Sequence, residues 1–296
     1  MTSPTVTVTA AAKINLHLGV GGRREDGFHE LHTVYQAISI HSTATATPAD
    51  SWSLETDAAA FIETSGLPPG ADNLATRAAY LLAGRAGREP HAHVRIEKGI
   101  PIAGGLAGGS ADAAATLVAL DRLWGLETPR ADLLELAGEL GSDVPFSLVG
   151  RTALGVGRGE RVEPVHDRGP WWWVVVPDRD GLSTPSVYAR FDELYPDAAP
   201  TPPRADALIA ALATGDPHAL APTLFNGLQE PAFSLRPDLR DRVAAGEQAG
   251  ALRGLVSGSG PTCLFLCESR EHADEVAGRI GGFSLVASGP VPGPLA

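Results

Sequence analysis

Lysine is nearly absent from this chain of 296 residues, which contains only Lys13 and Lys98. Arginine supplies most of the positive charge, and 35 acidic residues against 23 basic ones give a net charge of −12. A field of this sign repels nucleic acids and anionic membranes, and no basic run interrupts it. We therefore expect neither a nucleic-acid nor a membrane partner. A lysine retained in such a composition is a candidate for a role that needs an ammonium group.

Cysteine and long apolar segments are also scarce. Cys263 and Cys267 are the only cysteines, and no second Cys or His pair at zinc spacing accompanies them. We interpret both as small core residues in a reducing compartment. The longest apolar run, Trp171–Val176, is too short to cross a bilayer, and the N-terminus lacks the pattern of a secretory signal. The sequence therefore predicts a cytoplasmic protein.

A glycine-rich segment is the most informative feature that is present. Residues 101–115 read PIAGGLAGGSADAAA, so four glycines run directly into an alanine-rich helix. We place the helix N-cap at Ser110, with Asp112 in the first turn. Free amides and the positive end of the helix dipole make such a start a phosphate-binding site. The segment matches neither a Walker A loop nor a dinucleotide fingerprint, and a flexible loop before an ordinary helix is the alternative.

Hydrophobic periodicity predicts alternating strands and helices, and the length allows about two domains. In the first part it predicts strands over 6–10, 14–20, 35–47 and 93–97, and helices over 73–86, 110–125 and 130–140. In the second part it predicts a strand over 171–177, a glycine turn leading into a strand over 254–267, and helices over 206–213, 217–220, 239–248 and 270–278. We expect the boundary near residues 160–170.

Three separated segments carry a resemblance to a known family. The first pairs KINL at 13–16 with DGFHEL at 26–31, the second pairs the glycine loop with GSDVPF at 141–146, and the third is VSGSGPT at 256–262. In this order they resemble the GHMP kinases. The first pair is typical of the branch that phosphorylates a cytidine diphosphate-linked methylerythritol. The resemblance implies a two-domain α+β fold, with an N-terminal domain like ribosomal protein S5 domain 2 (1–165) and a ferredoxin-like C-terminal domain (166–296).

The resemblance also implies a reaction, in which the γ-phosphoryl group of ATP moves to the 2-hydroxyl of the methylerythritol unit in the presence of Mg²⁺. Catalysis of phosphoryl transfer mainly requires that the protein position the reactants and stabilise the charge on the transferred group. The family pattern makes Asp143 the group that accepts or orients the hydroxyl proton, with Lys13 beside it. From local sequence alone, Asp143 fits a helix or turn cap and Lys13 fits a solvated strand end.

The remaining predicted site residues form two groups. Those expected at ATP are the loop and two positions near adenine, namely Pro101, Ile102, Ala103, Gly104, Gly105, Leu106, Ala107, Gly108, Gly109, Ser110, Ala111, Asn73 and Lys98. Those expected at the cytidine substrate are Asn15, Phe28, His29, Tyr188, Arg158, Ser257, Gly258, Ser259 and Gly260, with aromatic faces holding the base and His29 reading its edge. Asn73 also fits a helix start, Lys98 a surface lysine, and residues 157–159 a hairpin. No metal ligand can be named.

Two other functions remain open. A homoserine or mevalonate kinase would keep the phosphoryl-transfer site but is not expected to carry the DGFH segment. A nucleotide-binding protein without catalysis would bind ATP without producing ADP, which the pair Lys13 and Asp143 argues against. The expected partners are small molecules, and no leftover apolar stripe indicates more than a monomer or weak homodimer.

Overall fold

The structure is a computed structural model that describes residues 4–62, 70–102, 104–178 and 180–296. Its strands form two sheets. The first sheet contains β1 (Val6–Arg23), β2 (His29–Thr47), β3 (Ser53–Ala58), β4 (His93–Lys98), β5 (Thr152–Gly157), β6 (Arg161–Pro164) and β8 (Phe225–Asn226). The second contains β7 (Trp171–Val176), β9 (Arg253–Val256), β10 (Cys263–Cys267) and β11 (Leu285–Gly289).

Helices cover both sheets. In chain order they are α1 (Leu74–Arg85), α2 (Gly108–Trp124), α3 (Arg130–Leu140), α4 (Val144–Val149), α5 (Thr184–Leu194), α6 (Asp206–Leu212), α7 (Pro217–Leu220), α8 (Gln229–Leu235), α9 (Asp238–Gln248) and α10 (Arg270–Ile280). Within the described ranges, none is both long and apolar enough to cross a membrane.

The first sheet is built around the long antiparallel pair β1 and β2. The strand order is β3-β4-β2-β1-β8, and β5 pairs with the beginning of β2 while β4 pairs with its end. Helix α2 packs on β1 and β2 through a run of fully buried small residues that includes Ala113, Ala114 and Ala115. Because alanine adds little bulk, the start of α2 lies close to the sheet. The glycine loop before α2 is thereby held beside β1.

The second sheet has the strand order β11-β7-β10-β9, and all of its pairings are antiparallel. Its first strand in chain order lies between the last and the third, which is the ferredoxin-like arrangement, with helices α5–α9 inserted between β7 and β9. Trp171 and Trp173 on β7 are fully buried and pack into the core of the first sheet. The predicted α+β fold is confirmed, and the predicted division after residue 165 falls in the connection from β6 to β7.

One short strand returns from the second half of the chain to the first sheet. Strand β8 pairs in parallel with β1, with Phe225 opposite His17 and Asn226 opposite Leu18. The amide of Gly227 then donates to the carbonyl of Leu18 at 2.8 Å. The outer edge of β1 is therefore paired by residues more than two hundred positions later in the chain.

Several elements differ from the sequence-based prediction. Strand β1 is continuous from residue 6 to 23. A break was expected between residues 10 and 14, because Ala11 and Ala12 interrupt the alternation of polar and apolar residues. Both alanines are buried within the strand. The prediction also omitted β3, β5, β6, β8, β11, α4, α5 and α8. Most of these are short, so a hydrophobic period has little length in which to appear.

Candidate active site

A cavity of about 810 Å³ is lined by residues from both halves of the chain. Its wall contains the middle of β1, the glycine loop with the first residues of α2, the residues before α4, the turn between β5 and β6, α5, and the turn between β9 and β10. Cavities of this size accommodate drug-sized ligands and lie where domains meet. Most of the predicted site residues are brought together on this one surface.

Lys13 and Asp143 face each other in the cavity, with the Lys13 ammonium nitrogen 3.7 Å from a carboxylate oxygen of Asp143. Lys13 is buried and also donates to Asn15 Oδ1 at 2.9 Å and to the carbonyl oxygen of Gly105 at 3.1 Å. Asn15 in turn donates to Thr33 Oγ1 at 2.8 Å. The solvated strand end considered for Lys13 is therefore excluded, because three protein oxygens hold its ammonium group in a single direction.

Asp143 immediately precedes α4, but its carboxylate makes no capping hydrogen bond to that helix. About a third of its side chain is exposed, on the cavity side. Two tyrosines of the cavity wall, Tyr35 and Tyr188, lie close enough to feel its charge. Burial, reinforced by the negative charge of Asp143, raises the pKa of Tyr35 well above its usual value and also raises the pKa of Tyr188. Both hydroxyls therefore remain protonated at neutral pH.

The start of α2 differs from the prediction. The helix begins at Gly108 rather than after Ser110, because Ala107 adopts a left-handed conformation (φ 55°) and provides the N-terminal boundary. Ser110 is thus the third helical residue and not the N-cap. Asp112 lies beyond the first turn, where it is buried and paired with Lys98. The alternative of a flexible loop is also wrong for the described part of the segment, because much of it is buried.

The glycines of the loop are required by its protein neighbours. A Cβ on Gly105 (φ 77°) would lie 2.2 Å from the carbonyl oxygen of Ser257, and one on Gly104 would lie 2.6 Å from Thr262 Oγ1. A Cβ on Gly108 would point at Ile100 and Lys98, away from the cavity. We expected these glycines to make room for phosphate. The first two also let the loop pack against the turn between β9 and β10.

The amides at the start of α2 could bind an anion in the cavity. Gly108, Gly109 and Ser110 line its wall, and the first amides of a helix have no intrahelical acceptor. Together with the helix dipole and the nearby ammonium of Lys13, they form a positive end suited to phosphate oxygens. The net charge of −12 does not prevent phosphate binding here. Salt screening at physiological ionic strength limits the electrostatic effect of a carboxylate to a distance of about 8 Å.

The aromatic residues of the cavity wall form two pairs. The ring of Tyr188 stacks on His29, with centroids 5.0 Å apart, while the half-exposed ring of Phe28 lies under the guanidinium of Arg158 at 5.0 Å. His29 Nδ1 is 2.8 Å from the carbonyl oxygen of Gly21. All four side chains line the cavity and provide flat surfaces for a planar ring.

The segment over 157–159 is the turn of the β5–β6 hairpin, as its glycines also suggested. Two of its amides are already engaged, since that of Gly157 donates to Glu30 and that of Arg158 donates to Glu160. Arg158 still reaches the cavity through its side chain.

Some predicted residues do not lie on the cavity wall. Asn73 caps α1 by accepting from the amide of Ala75, and Lys98 is buried against Asp112 beneath the start of α2. The alternative of a surface lysine at position 98 is therefore wrong. Ser257 is fully buried and donates to the carbonyl oxygen of Gly105 at 3.1 Å. The side chains of Leu106 and Ala111 belong to the core, Ile102 does not line the wall, and Ala103 lies outside the described residues.

Sequence reasoning missed several residues of the wall. They are Tyr35, Arg23, Ser142, Thr184, Leu182 and Asp192. Asp192 Oδ1 lies 3.4 Å from His29 Nε2, and Thr184 Oγ1 lies 2.8 Å from Ser259 Oγ. Ser142 lies inside the GSDVPF segment and Arg23 lies three residues before DGFHEL, so both motifs offered a usable signal. Thr184 and Asp192 belong to α5, which was not predicted as a helix.

No group of three or more His, Cys, Asp or Glu that could hold a metal ion occurs among residues 4–62, 70–102, 104–178 and 180–296. Mg²⁺ nevertheless fits this cavity as part of a nucleotide, because it keeps several waters and takes phosphate oxygens beside one or two carboxylates. The carboxylate of Asp143 and the hydroxyl of Ser110 both provide oxygen atoms on the cavity wall.

Comparison with known proteins agrees with the geometry. The family model for the N-terminal domain of GHMP kinases matches residues 73–151, and the model for their C-terminal domain matches residues 208–283. A 4-diphosphocytidyl-2-C-methyl-D-erythritol kinase of a Nocardioides species is 56% identical over 96% of this chain and 97% of its own length. This chain belongs to the GHMP kinases. The resemblance inferred from its motifs is thereby confirmed.

Further relatives place the chain in one branch of this family. The 4-diphosphocytidyl-2-C-methyl-D-erythritol kinase of Rhodococcus jostii is 49% identical over 97% of this chain and 94% of its own length. A crystal structure of 4-(cytidine 5'-diphospho)-2C-methyl-D-erythritol kinase superposes with a TM-score of 0.78 at 35% identity, covering 95% of this chain and 98% of the other. A homoserine kinase from Cytophaga hutchinsonii, with a TM-score of 0.73 at 19% identity over 98% and 96%, shares the fold. Within the GHMP kinases, the chain groups with the kinases of 4-diphosphocytidyl-2-C-methyl-D-erythritol.

Proposed function

We propose that this protein transfers the γ-phosphoryl group of ATP to the 2-hydroxyl of 4-diphosphocytidyl-2-C-methyl-D-erythritol, forming the 2-phosphate and ADP in the non-mevalonate route to isoprenoid precursors. The observation that carries the proposal is the Lys13–Asp143 pair, which lies beside the phosphate-binding amides in a cavity that also holds aromatic surfaces. Its relatives of 49–56% identity are named for this activity.

In the proposed step, the 2-oxygen of the substrate forms a bond to the γ-phosphorus as the bond from that phosphorus to the β–γ bridging oxygen breaks. Asp143 lies where it can accept or orient the proton of the hydroxyl, because its carboxylate is not used for capping. Lys13, whose ammonium nitrogen lies 3.7 Å from that carboxylate, offsets charge on the transferred group. The amides of Gly108, Gly109 and Ser110 hold phosphate oxygens of ATP.

Mg²⁺ bound to the phosphates neutralises part of their charge. The hydroxyl of Ser110, at the start of α2 on the cavity wall, is the protein oxygen that would contact it. For the substrate, Asn15 is the hydrogen-bonding partner of the methylerythritol unit, and Phe28, His29, Tyr188 and Arg158 surround the base. Gly258, Ser259 and Gly260 close the cavity from the second sheet. A cytoplasmic location and a monomeric or weakly dimeric state remain predictions.

A coupled assay of ADP release tests the proposal. Three acceptors are compared at equal concentration, namely 4-diphosphocytidyl-2-C-methyl-D-erythritol, homoserine and mevalonate, with an ATP-only control. We expect turnover with the cytidine compound alone, and mass spectrometry should locate the added phosphate on the methylerythritol unit. Turnover with homoserine or mevalonate instead would replace the proposed acceptor, and binding of ATP without ADP production would favour the non-catalytic alternative.

A further inference from the structure

The buried amide of Asn226 connects the two sheets next to the cavity. Asn226 on β8 donates from Nδ2 to the carbonyl oxygens of Val256 and Gly258, each at 2.8 Å. Its Oδ1 accepts from the amide of Leu228 at 2.9 Å. Because β8 is itself paired with β1, this side chain ties the turn between β9 and β10 to the strand that carries Lys13.

The turn held by Asn226 packs directly against Lys13. The hydroxyl of Ser257 donates at 3.1 Å to the carbonyl oxygen of Gly105, the same oxygen that accepts from the Lys13 ammonium at 3.1 Å. A Cβ on Gly258 would lie 3.4 Å from Lys13 Nζ and 3.2 Å from Asn15 Oδ1. The lysine is therefore confined between Gly105, Asn15 and this turn.

We propose that Asn226 is a positioning residue for phosphoryl transfer, which keeps the Lys13 ammonium directed at Asp143 by fixing the turn over residues 256–258. The inference rests on the proposed function of the cavity. Asn226 is buried and does not line the cavity, so it acts through the turn and not on the substrate. A side chain that only stabilised the fold would affect thermal stability without changing turnover per folded molecule.

The variant Asn226→Asp tests this role with minimal change in size. It keeps the oxygen that accepts from Leu228 but faces the carbonyls of Val256 and Gly258 with an oxygen in place of their donor. We expect kcat to fall about 10- to 100-fold, since misplacement of a reacting group by about 1 Å has effects of this order. The KM values for ATP and for the cytidine substrate should each stay within about threefold, because Asn226 touches neither.

Asp121→Ala is the matched control. Asp121 is buried and accepts from the amide of Thr128 at the end of α2, outside the cavity. Loss of that bond should lower the melting temperature and leave kcat within about twofold. If Asn226→Asp fails to fold, Ser257→Ala removes only the bond from the turn to Gly105 and carries the same measurements.

The scarcity of lysine provides a readout that does not depend on activity. Selective isotope labelling of lysine gives side-chain resonances from Lys13 and Lys98 alone, and Lys13→Arg assigns them. In Asn226→Asp, the Cε resonance of Lys13 should move while that of Lys98, buried against Asp112, stays in place. A folded variant with kcat within threefold of the parent, or with an unmoved Lys13 resonance, would overturn the inference. If the parent protein makes no ADP with the cytidine substrate, the proposed function fails, and the resonance alone decides whether Asn226 positions Lys13.

Discussion

The carbonyl oxygen of Gly105 and the ammonium nitrogen of Lys13 lie 3.1 Å apart, so the glycine loop holds the lysine through its backbone. The loop thus has two tasks, since it leads into the helix start that faces the cavity and it also directs the cation. Gly105 has a positive φ of 77°, a conformation that favours glycine. The chemistry of the site consequently depends on a backbone conformation as well as on side chains.

The pair of Lys13 and Asp143 should be essential for turnover and nearly neutral for ATP binding. Asp143→Asn removes a positioned acceptor for the proton, and such groups contribute roughly 10²–10⁴ in rate. Lys13→Met keeps the aliphatic stem but loses the charge, and we expect a comparable loss of kcat. Steady-state kinetics and ATP titration check both variants. An Asp143→Asn enzyme that retained kcat within about threefold would remove Asp143 from the assigned role.

Gly105→Ala should inactivate the enzyme by displacing the loop. The added Cβ would meet the carbonyl oxygen of Ser257 at 2.2 Å, and the residue has φ 77°. We expect kcat to fall at least about 100-fold, from a displacement of the order of 1 Å. Gly125→Ala is the control, because Gly125 has a similar φ of 64° but open space around its Cβ position. It should cost only about 1–2 kcal/mol of stability from the left-handed conformation. Equal activity of the two variants would contradict the clash.

The aromatic surfaces should determine affinity for the cytidine substrate. Stacking on a base is worth about 1–3 kcal/mol, or roughly 5- to 150-fold in affinity. Phe28→Ala and Tyr188→Ala should therefore raise the KM for this substrate within that range and leave the KM for ATP nearly unchanged. Phe28→Tyr and Tyr188→Phe keep the ring faces and should be almost silent. If Phe28→Ala raised only the KM for ATP, the assignment of the ATP site and the cytidine site would have to be reversed.

His29 should determine which base is accepted. Its Nδ1 faces the carbonyl oxygen of Gly21 and its Nε2 lies 3.4 Å from Asp192, so its polar edge has a fixed orientation at the cavity wall. His29→Ala should reduce the preference for the cytidine compound over its uridine analogue, because hydrogen bonding to a base edge rejects analogues more strongly than stacking does. The ratio of kcat/KM for the two compounds measures the effect. An unchanged ratio would assign base recognition to other residues.

Stability should decrease as the pH falls below the usual pKa of histidine, partly because of His17. Burial lowers the pKa of this side chain from 6.5 in the folded protein, against the opposing effect of its hydrogen bond to the carbonyl of Pro203. The unfolded chain then binds more protons below pH 6.5, so the free energy of unfolding falls there, by up to about 1.4 kcal/mol per pH unit for this group. Urea unfolding between pH 5 and 8 should show a shallower pH dependence for His17→Gln. Parallel curves for both proteins would exclude this contribution.

The sequence motifs identified the residues of the candidate active site better than they predicted the backbone structure that positions those residues. Lys13, Asp143 and the glycine loop could be identified because their residue types are unusual in their local context and occur in a known order. The N-cap of α2 was misplaced by three residues, at Ser110 and not Ala107, because a serine before an acidic residue is a typical helix start, whereas the actual boundary depends on the left-handed Ala107. No local pattern indicates that conformation, which the packing of the loop against the second sheet stabilises.

Contacts between distant segments were inaccessible to sequence reasoning for the same reason. The stacking of Tyr188 on His29 and the pairing of Lys98 with Asp112 depend on how α5 and α2 are placed by the core. Lys98 is a clear example, because alternation along β4 does not distinguish an exposed lysine from one that finds a buried carboxylate.

The parallel strand β8 has a consequence for dividing this protein into pieces. A fragment ending near residue 165 would keep β1 to β6 but would leave the backbone of His17 and Leu18 without the partner that Phe225 and Asn226 provide. It would also expose the part of its core that Trp171 and Trp173 cover. An unpaired edge beside an uncovered apolar surface favours association between copies. The two halves are therefore distinguishable as sheets yet depend on one another for solubility, and the first should aggregate when it is produced alone.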